Sequence, residues 1–109
     1  MAQRYNVRIA IEVIPNELST ASALVELIES DIDAAGLGIC MDVGHARIMG
    51  DVVDAIETCS GHVITTHLHD NRGRSDDHLM PGKGVIDWDA TMLAFQKVGY
   101  DGVWMFELA

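Results

Sequence analysis

Basic side chains, cysteines and long apolar runs are all scarce in this chain. Seven Lys and Arg stand against 17 Asp and Glu, a formal net charge of −10, and the seven are scattered. Such a surface repels phosphate backbones, so nucleic acids and anionic membranes are excluded as expected partners. The two cysteines, Cys40 and Cys59, have no CxxC spacing, and the opening stretch MAQRYNVRIA lacks a charged-then-apolar leader pattern. Reduced thiols, no structural disulfide and a cytoplasmic location are therefore expected. No apolar run approaches the ~18 residues of a membrane span. Linkers, low-complexity segments and charge blocks are missing too, so residues 1–109 read as one domain. What is present is the composition of a packed globular protein, 49% hydrophobic and 22% charged.

Four short apolar runs punctuate the chain: RIAIEVI (Arg8–Ile14), LGICMDV (Leu37–Val43), HVITTHLHD (His62–Asp70) and the closing GVWMFELA. Runs that are apolar on both faces fit buried strands of a parallel sheet. Three amphipathic segments separate them. ASALVELIES carries Leu24, Val25, Leu27 and Ile28 at helical spacing, VVDAIETC follows a capping Asp51, and WDATMLAFQKV follows a capping Asp87. The last helix is expected to bury Trp88, Met92 and Phe95 on one stripe and to stop at Gly99. Strand and helix alternate, so the fold class is α/β with a parallel sheet and right-handed crossovers.

Each run ends in a polar group that a buried strand should not contain. Glu12 ends the first; Asp42 ends the second, with His45 three residues on. His67, His69 and Asp70 end the third, and Glu107 ends the fourth. The intervals 12 to 42, 42 to 67 and 67 to 107 are each about one strand-helix unit, so parallel strands bring these groups to one sheet edge. That carboxyl-terminal edge is where α/β barrels place their active sites. A single carboxylate there is ordinarily a helix cap or a solvated turn, but four successive strand ends are harder to explain so. Several carboxylates buried together call for a cation. Two Glu, one Asp and one imidazole suit one divalent ion such as Mn²⁺, Mg²⁺, Co²⁺ or Zn²⁺. Cys40 and Met41 read as core, and thiolate ligation is not expected.

The segments EVI, MDVGHA, HLHDN, DDHLMPGKGVIDW and GYDGVWMFEL occur in order over essentially the whole chain. Together they resemble the sugar phosphate isomerase/epimerase group of the xylose isomerase-like TIM barrels, a superfamily that also holds the endonuclease IV type of apurinic endonuclease. The resemblance implies that Glu12, Asp42, His67 and Glu107 hold the metal, with Glu12 and Glu107 also serving as acid and base on a ketose. It implies that His45 orients substrate oxygens. His69 is expected to point the same way as His67, one step higher, toward substrate or solvent. Arg72 or Lys83 is expected to bind a hydroxyl, carboxylate or phosphate, and Asp76 and His78 to lie on a mobile lid (residues 70–84) where zinc enzymes of the superfamily place further ligands. The plain alternative for Asp76, Asp77 and His78 is a solvated loop that caps itself.

A complete barrel of this kind has eight strands and ~250 residues. Four strands and three helices make half of a (β/α)8 barrel, matching the second half of the pattern. Ala10, Ile14, Cys40, Thr65, Val103 and Met105 alternate with the ligand positions and are expected to face an interior with nothing opposite. A homodimer that closes the barrel is the expected partner arrangement. Three functions follow: a metal-dependent sugar or sugar phosphate isomerase/epimerase, an endonuclease IV-like phosphoesterase, and a non-catalytic self-associating half-barrel.

Overall fold

The computed structural model describes residues 3–30 and 34–109. Four strands form one parallel sheet in sequence order: β1 (Ile9–Glu12), β2 (Leu37–Asp42), β3 (Val63–Leu68) and β4 (Met105–Phe106). Four helices connect them: α1 (Ala21–Ser30), α2 (Val43–Met49), α3 (Val52–Thr58) and α4 (Trp88–Lys97). The result is half of a TIM-barrel-like α/β unit.

Capping chemistry sets the helix starts. Asp51 accepts a hydrogen bond from the Asp54 N–H (2.9 Å), and Asp87 accepts one from the Ala90 N–H (3.0 Å). Gly99 follows α4 in the left-handed region at φ +74°, where glycine carries no Cβ penalty. The apolar stripes of the helices then pack on one face of the sheet. Leu24 and Ile28 of α1, Ile56 of α3 and Phe95 of α4 join Val13, Ile39, Met41 and Leu68 in a continuous buried cluster.

Three features depart from the expected pattern. A fourth helix, α2, starts immediately at the end of β2, inside the segment read only as strand and motif. Val43 and Gly44 are poor helix formers, so helix propensity does not announce it. Asp42 drives the start by accepting the His45 N–H at 2.8 Å. Second, α4 buries Thr91, Ala94 and Phe95 while Met92 is 40% exposed, which rotates the expected stripe. Third, β4 is two residues long instead of a full run, paired only at His67–Met105 and Leu68–Phe106.

Cross-strand partners share a face of a sheet. The pairs Glu12–Cys40, Cys40–Thr65, Asp42–His67 and His67–Met105 therefore place those side chains on the face away from the helices. The register slips between Ile39 and Cys40, whose partners are Val63 and Thr65, so Ile64 is an extra residue in β3. Burial thins toward the sheet edges on this face: Cys40 is buried, whereas Met105 is 51% exposed.

Candidate metal centre

Asp42 occupies the junction of β2 and α2 and is fully buried. Its Oδ1 caps α2, but its Oδ2 has no hydrogen-bond partner. Glu12, at the end of β1, accepts a hydrogen bond on Oε1 from His67 Nδ1 at 2.8 Å. The same ring nitrogen lies 3.4 Å from Glu107 Oε2 and 3.8 Å from Asp42 Oδ2. One ligand atom each from Glu12, Asp42, His67 and Glu107 thus falls within 4.8 Å of all the others. Three carboxylates face one imidazole nitrogen, one of them buried with an unpartnered oxygen. A divalent cation meets the needs of that donor set better than a single proton does, so the residues fit a metal.

The second cluster lies on the adjoining loop. Asp76 spans two rings, with Oδ2 3.1 Å from His45 Nε2 and Oδ1 3.1 Å from His78 Nε2. His45 Nδ1 reaches the Val13 carbonyl at 2.9 Å, and His78 Nδ1 reaches the Glu107 carbonyl at 2.9 Å. Carbonyls and carboxylates only accept, so both His45 nitrogens donate, as in the imidazolium form, and His78 donates through Nδ1 while its Nε2 stands at ion-pair distance from Asp76. Burial pulls the His45 pKa down, but Asp42, the Val13 carbonyl and Asp76 outweigh it and hold the value above the ordinary one. The Glu107 carbonyl raises His78, helped by Asp76 against partial burial. Burial raises the Asp76 carboxyl, but its two histidine partners overcome this and leave its pKa lowered.

His69 does not sit as expected. It is fully buried and offers no surface to solvent. Only the exposure differs from the expectation, because the ring lies beside Asp42, the cross-strand partner of His67. The ring stacks on His78 at 4.0 Å between centroids and meets His45 edge-on at 5.6 Å. Gly44 makes the room, since a Cβ there would stand 2.0 Å from His69 Cε1. His69 Nε2 lies 2.8 Å from Asp42 Oδ1 but out of line, so both ring nitrogens lack hydrogen-bond partners. His45, His69, Asp76 and His78 form a second group with ligand atoms within 4.8 Å. Arg72 and Lys83 are exposed, and among the described residues neither makes an ion pair with either cluster.

Sequence reasoning missed the anchor of the loop. Asp70 is fully buried and accepts four N–H bonds: from Asn71 (2.8 Å), Gly82 (3.0 Å), Ile86 (3.2 Å) and the Trp88 indole (2.9 Å). Burial alone raises its pKa, yet these donors outweigh it and the value is lowered. An antiparallel bridge joins Asp70 to Leu79, and the Asn71 amide donates to the Gly44 carbonyl at 2.9 Å. The Ala109 N–H reaches the His78 carbonyl at 3.1 Å. The segment expected to swing as a free lid is held at both ends. Among the described residues, no helix is long and apolar enough to cross a membrane.

The comparisons with known proteins agree with this architecture. An uncharacterized protein of Methanocaldococcus jannaschii is 34% identical over 110 residues, covering 94% of this chain and 37% of its own length. The inosose isomerase of Bacillus subtilis is 25% identical over 99% of this chain and 42% of its own length. Among solved structures, a D-tagatose 3-epimerase-like protein superposes with a TM-score of 0.87 at 34% identity, covering 98% of this chain and 42% of that one. IolI, solved with a bound zinc atom, superposes with a TM-score of 0.81 at 26% identity over 98% of this chain and 42% of its own. The chain thus spans about two-fifths of the length of the proteins it matches. The family model that describes a xylose isomerase-like TIM barrel matches residues 1 to 109, and the chain belongs to that family.

Proposed function

We propose that this chain carries the metal-binding half of a sugar or sugar phosphate isomerase/epimerase site, with Glu12, Asp42, His67 and Glu107 holding one divalent ion. The observation that carries the reading is the convergence of these four strand-end groups within 4.8 Å around a buried Asp42 oxygen without a partner. A divalent ion there supplies Lewis acidity, which acidifies a carbon-bound proton beside a carbonyl. The chain's own residues do the rest. Glu12 ends one edge strand, β1, Glu107 follows the other, β4, and the two carboxylates approach the same His67 nitrogen. One carboxylate takes the carbon-bound proton and the other returns a proton, which inverts or relocates the carbinol centre. His45 has both ring nitrogens engaged, so it positions Asp76 and the β1 end instead of contacting the sugar directly. The neighbours named as isomerases and epimerases support the substrate class.

The test is solvent deuterium incorporation into a ketose panel by the metal-loaded protein. Exchange is expected in the wild type and abolished in Glu12→Gln and in Glu107→Gln, with folding intact by circular dichroism. Exchange unchanged in both variants contradicts the assignment.

A second reading, metal-dependent phosphoester hydrolysis, is favoured by the His45, His69, Asp76 and His78 group, which offers donors for another cation. Metal counting separates the two: one ion per chain for the first, two or more for the second. Association with a second copy belongs to the same proposal. The sheet's unpaired edges β1 and β4, with Ile9 52%, Val103 60% and Met105 51% exposed, support closure by a partner chain. A self-associating protein without deuterium exchange points to the non-catalytic half-barrel. A monomeric mass of 11.9 kDa in sedimentation removes the homodimer.

A further inference from the structure

Cys40 is absent from the reading above, yet it lies on the same face of the sheet. It is the cross-strand partner of Glu12, stands two residues before Asp42 and is 3% exposed. Its Sγ, a carboxylate oxygen of Glu12 and a ring nitrogen of His67 all lie within 4.8 Å of one another. The fully buried, unpartnered Oδ2 of Asp42 is 3.8 Å from His67 Nδ1, an acceptor short of a cation beside the same ring. Cys59 provides the contrast: it is buried on the helix side with only the Ala21 carbonyl at 3.9 Å.

We propose that Glu12, Cys40 and His67 form a second, softer cation site beneath the four-ligand site and sharing two of its ligands. Thiophilic divalent ions such as Cd²⁺ or Zn²⁺ are drawn onto the sulfur, while Mn²⁺ and Mg²⁺ stay with Glu12, Asp42, His67 and Glu107. Hard ions prefer carboxylate oxygens and soft ones prefer thiolate, so one sulfur at the floor of an oxygen-rich site sorts ions by softness. Binding of the soft ion forms a sulfur–metal bond as the thiol proton leaves to water. The consequence is a preference set by a residue that contacts no sugar. This inference rests on the four-ligand reading, since it borrows Glu12 and His67 from it.

The test is titration of the reduced chain with Cd²⁺ and with Mn²⁺, read by ultraviolet absorption and calorimetry. Wild type is expected to show a thiolate-to-cadmium charge-transfer band that saturates at one ion per chain. Cys40→Ser and Cys40→Ala lose the band, and their Cd²⁺ affinity falls by about a hundredfold or more, since groups that only support the ligands are already worth roughly ten- to a hundredfold. Their Mn²⁺ affinity stays unchanged, and Cys59→Ser keeps the band. Should the Cys40 variants fail to fold, the cadmium NMR resonance of the wild type decides, because its chemical shift reports sulfur coordination. Mn²⁺ binding with no cadmium band, or a band that survives in Cys40→Ser, overturns the thiol proposal alone. Failure of both ions to bind overturns the four-ligand reading together with it.

Discussion

Asp42 and Asp70 are both fully buried aspartates near the carboxyl-terminal edge of the sheet, and they are treated in opposite ways. Asp70 is saturated, with its two oxygens sharing four N–H donors from three parts of the loop and from the Trp88 indole. Asp42 spends one oxygen on the cap of α2 and leaves the other bare, among histidines and two further carboxylates. Buried polar groups ordinarily find partners, and a carboxylate that lacks one is costly unless something else neutralises it. The saturated aspartate is structural cement. The bare one is the atom on which the proposed cation site turns.

The comparison breaks most visibly at Asp70. Asp70→Ala strands three backbone N–H groups and the Trp88 indole, so a loss of about 4 kcal/mol or more is expected in denaturant unfolding. Gly84→Ala attacks the same hub from outside, because its Cβ would lie 2.1 Å from the Asn71 carbonyl oxygen and 2.3 Å from Asp70 Oδ1. Backbone cannot step aside as a flexible side chain can, and a loss of about 3 kcal/mol is expected by the same measurement. Gly44→Ala drives a methyl into the buried His69 ring and should cost about 2 kcal/mol, while also displacing His69 from Asp42.

Asp42→Asn sharpens the contrast. Asn is an equally good helix cap, and the substitution removes one of three gathered carboxylates. Metal-free stability is expected to change by less than about 1 kcal/mol, or to rise, in chemical denaturation.

The smallest effect is pH dependence without metal, and its sign differs between the regions. Asp70 and Asp76 have folded pKa values below the ordinary 3.8, so their stabilisation is present above that value and is lost as pH falls through the lowered folded pKa. His45 and His78 have folded pKa values above the ordinary 6.5, so theirs is complete below 6.5 and is lost as pH rises through the raised folded pKa. Unfolding curves between pH 5 and 9 are expected to show a decline on the alkaline side, and Asp76→Asn is expected to flatten it. A partly exposed carboxylate among histidines limits the change to about 1 kcal/mol or less. A curve that keeps its slope in Asp76→Asn would contradict the double-imidazolium account.

Much of this was legible because strands and caps obey local rules. The caps Asp51 and Asp87 and the stop at Gly99 follow from neighbouring residues alone, and strand-end positions carry Glu12, Asp42, His67 and Glu107 to one edge whatever the loops do. Tertiary context decided the rest. The α2 helix depends on the Asp42 cap more than on propensity, and the extra residue at Ile64 has no sequence mark. His69 is buried because Gly44 lacks a side chain 25 residues away. The four donors on Asp70 come from as far as Trp88, so no local pattern could predict its saturation.

Metal uptake compared between wild type and Asp42→Asn tests the central claim most directly. Both proteins are dialysed to equilibrium against Mn²⁺ and then assayed by elemental analysis. The account predicts at least one tightly held ion per wild-type chain and a loss of that ion in Asp42→Asn, with folding retained. Equal uptake by the two proteins, or no uptake by the wild type, would contradict it.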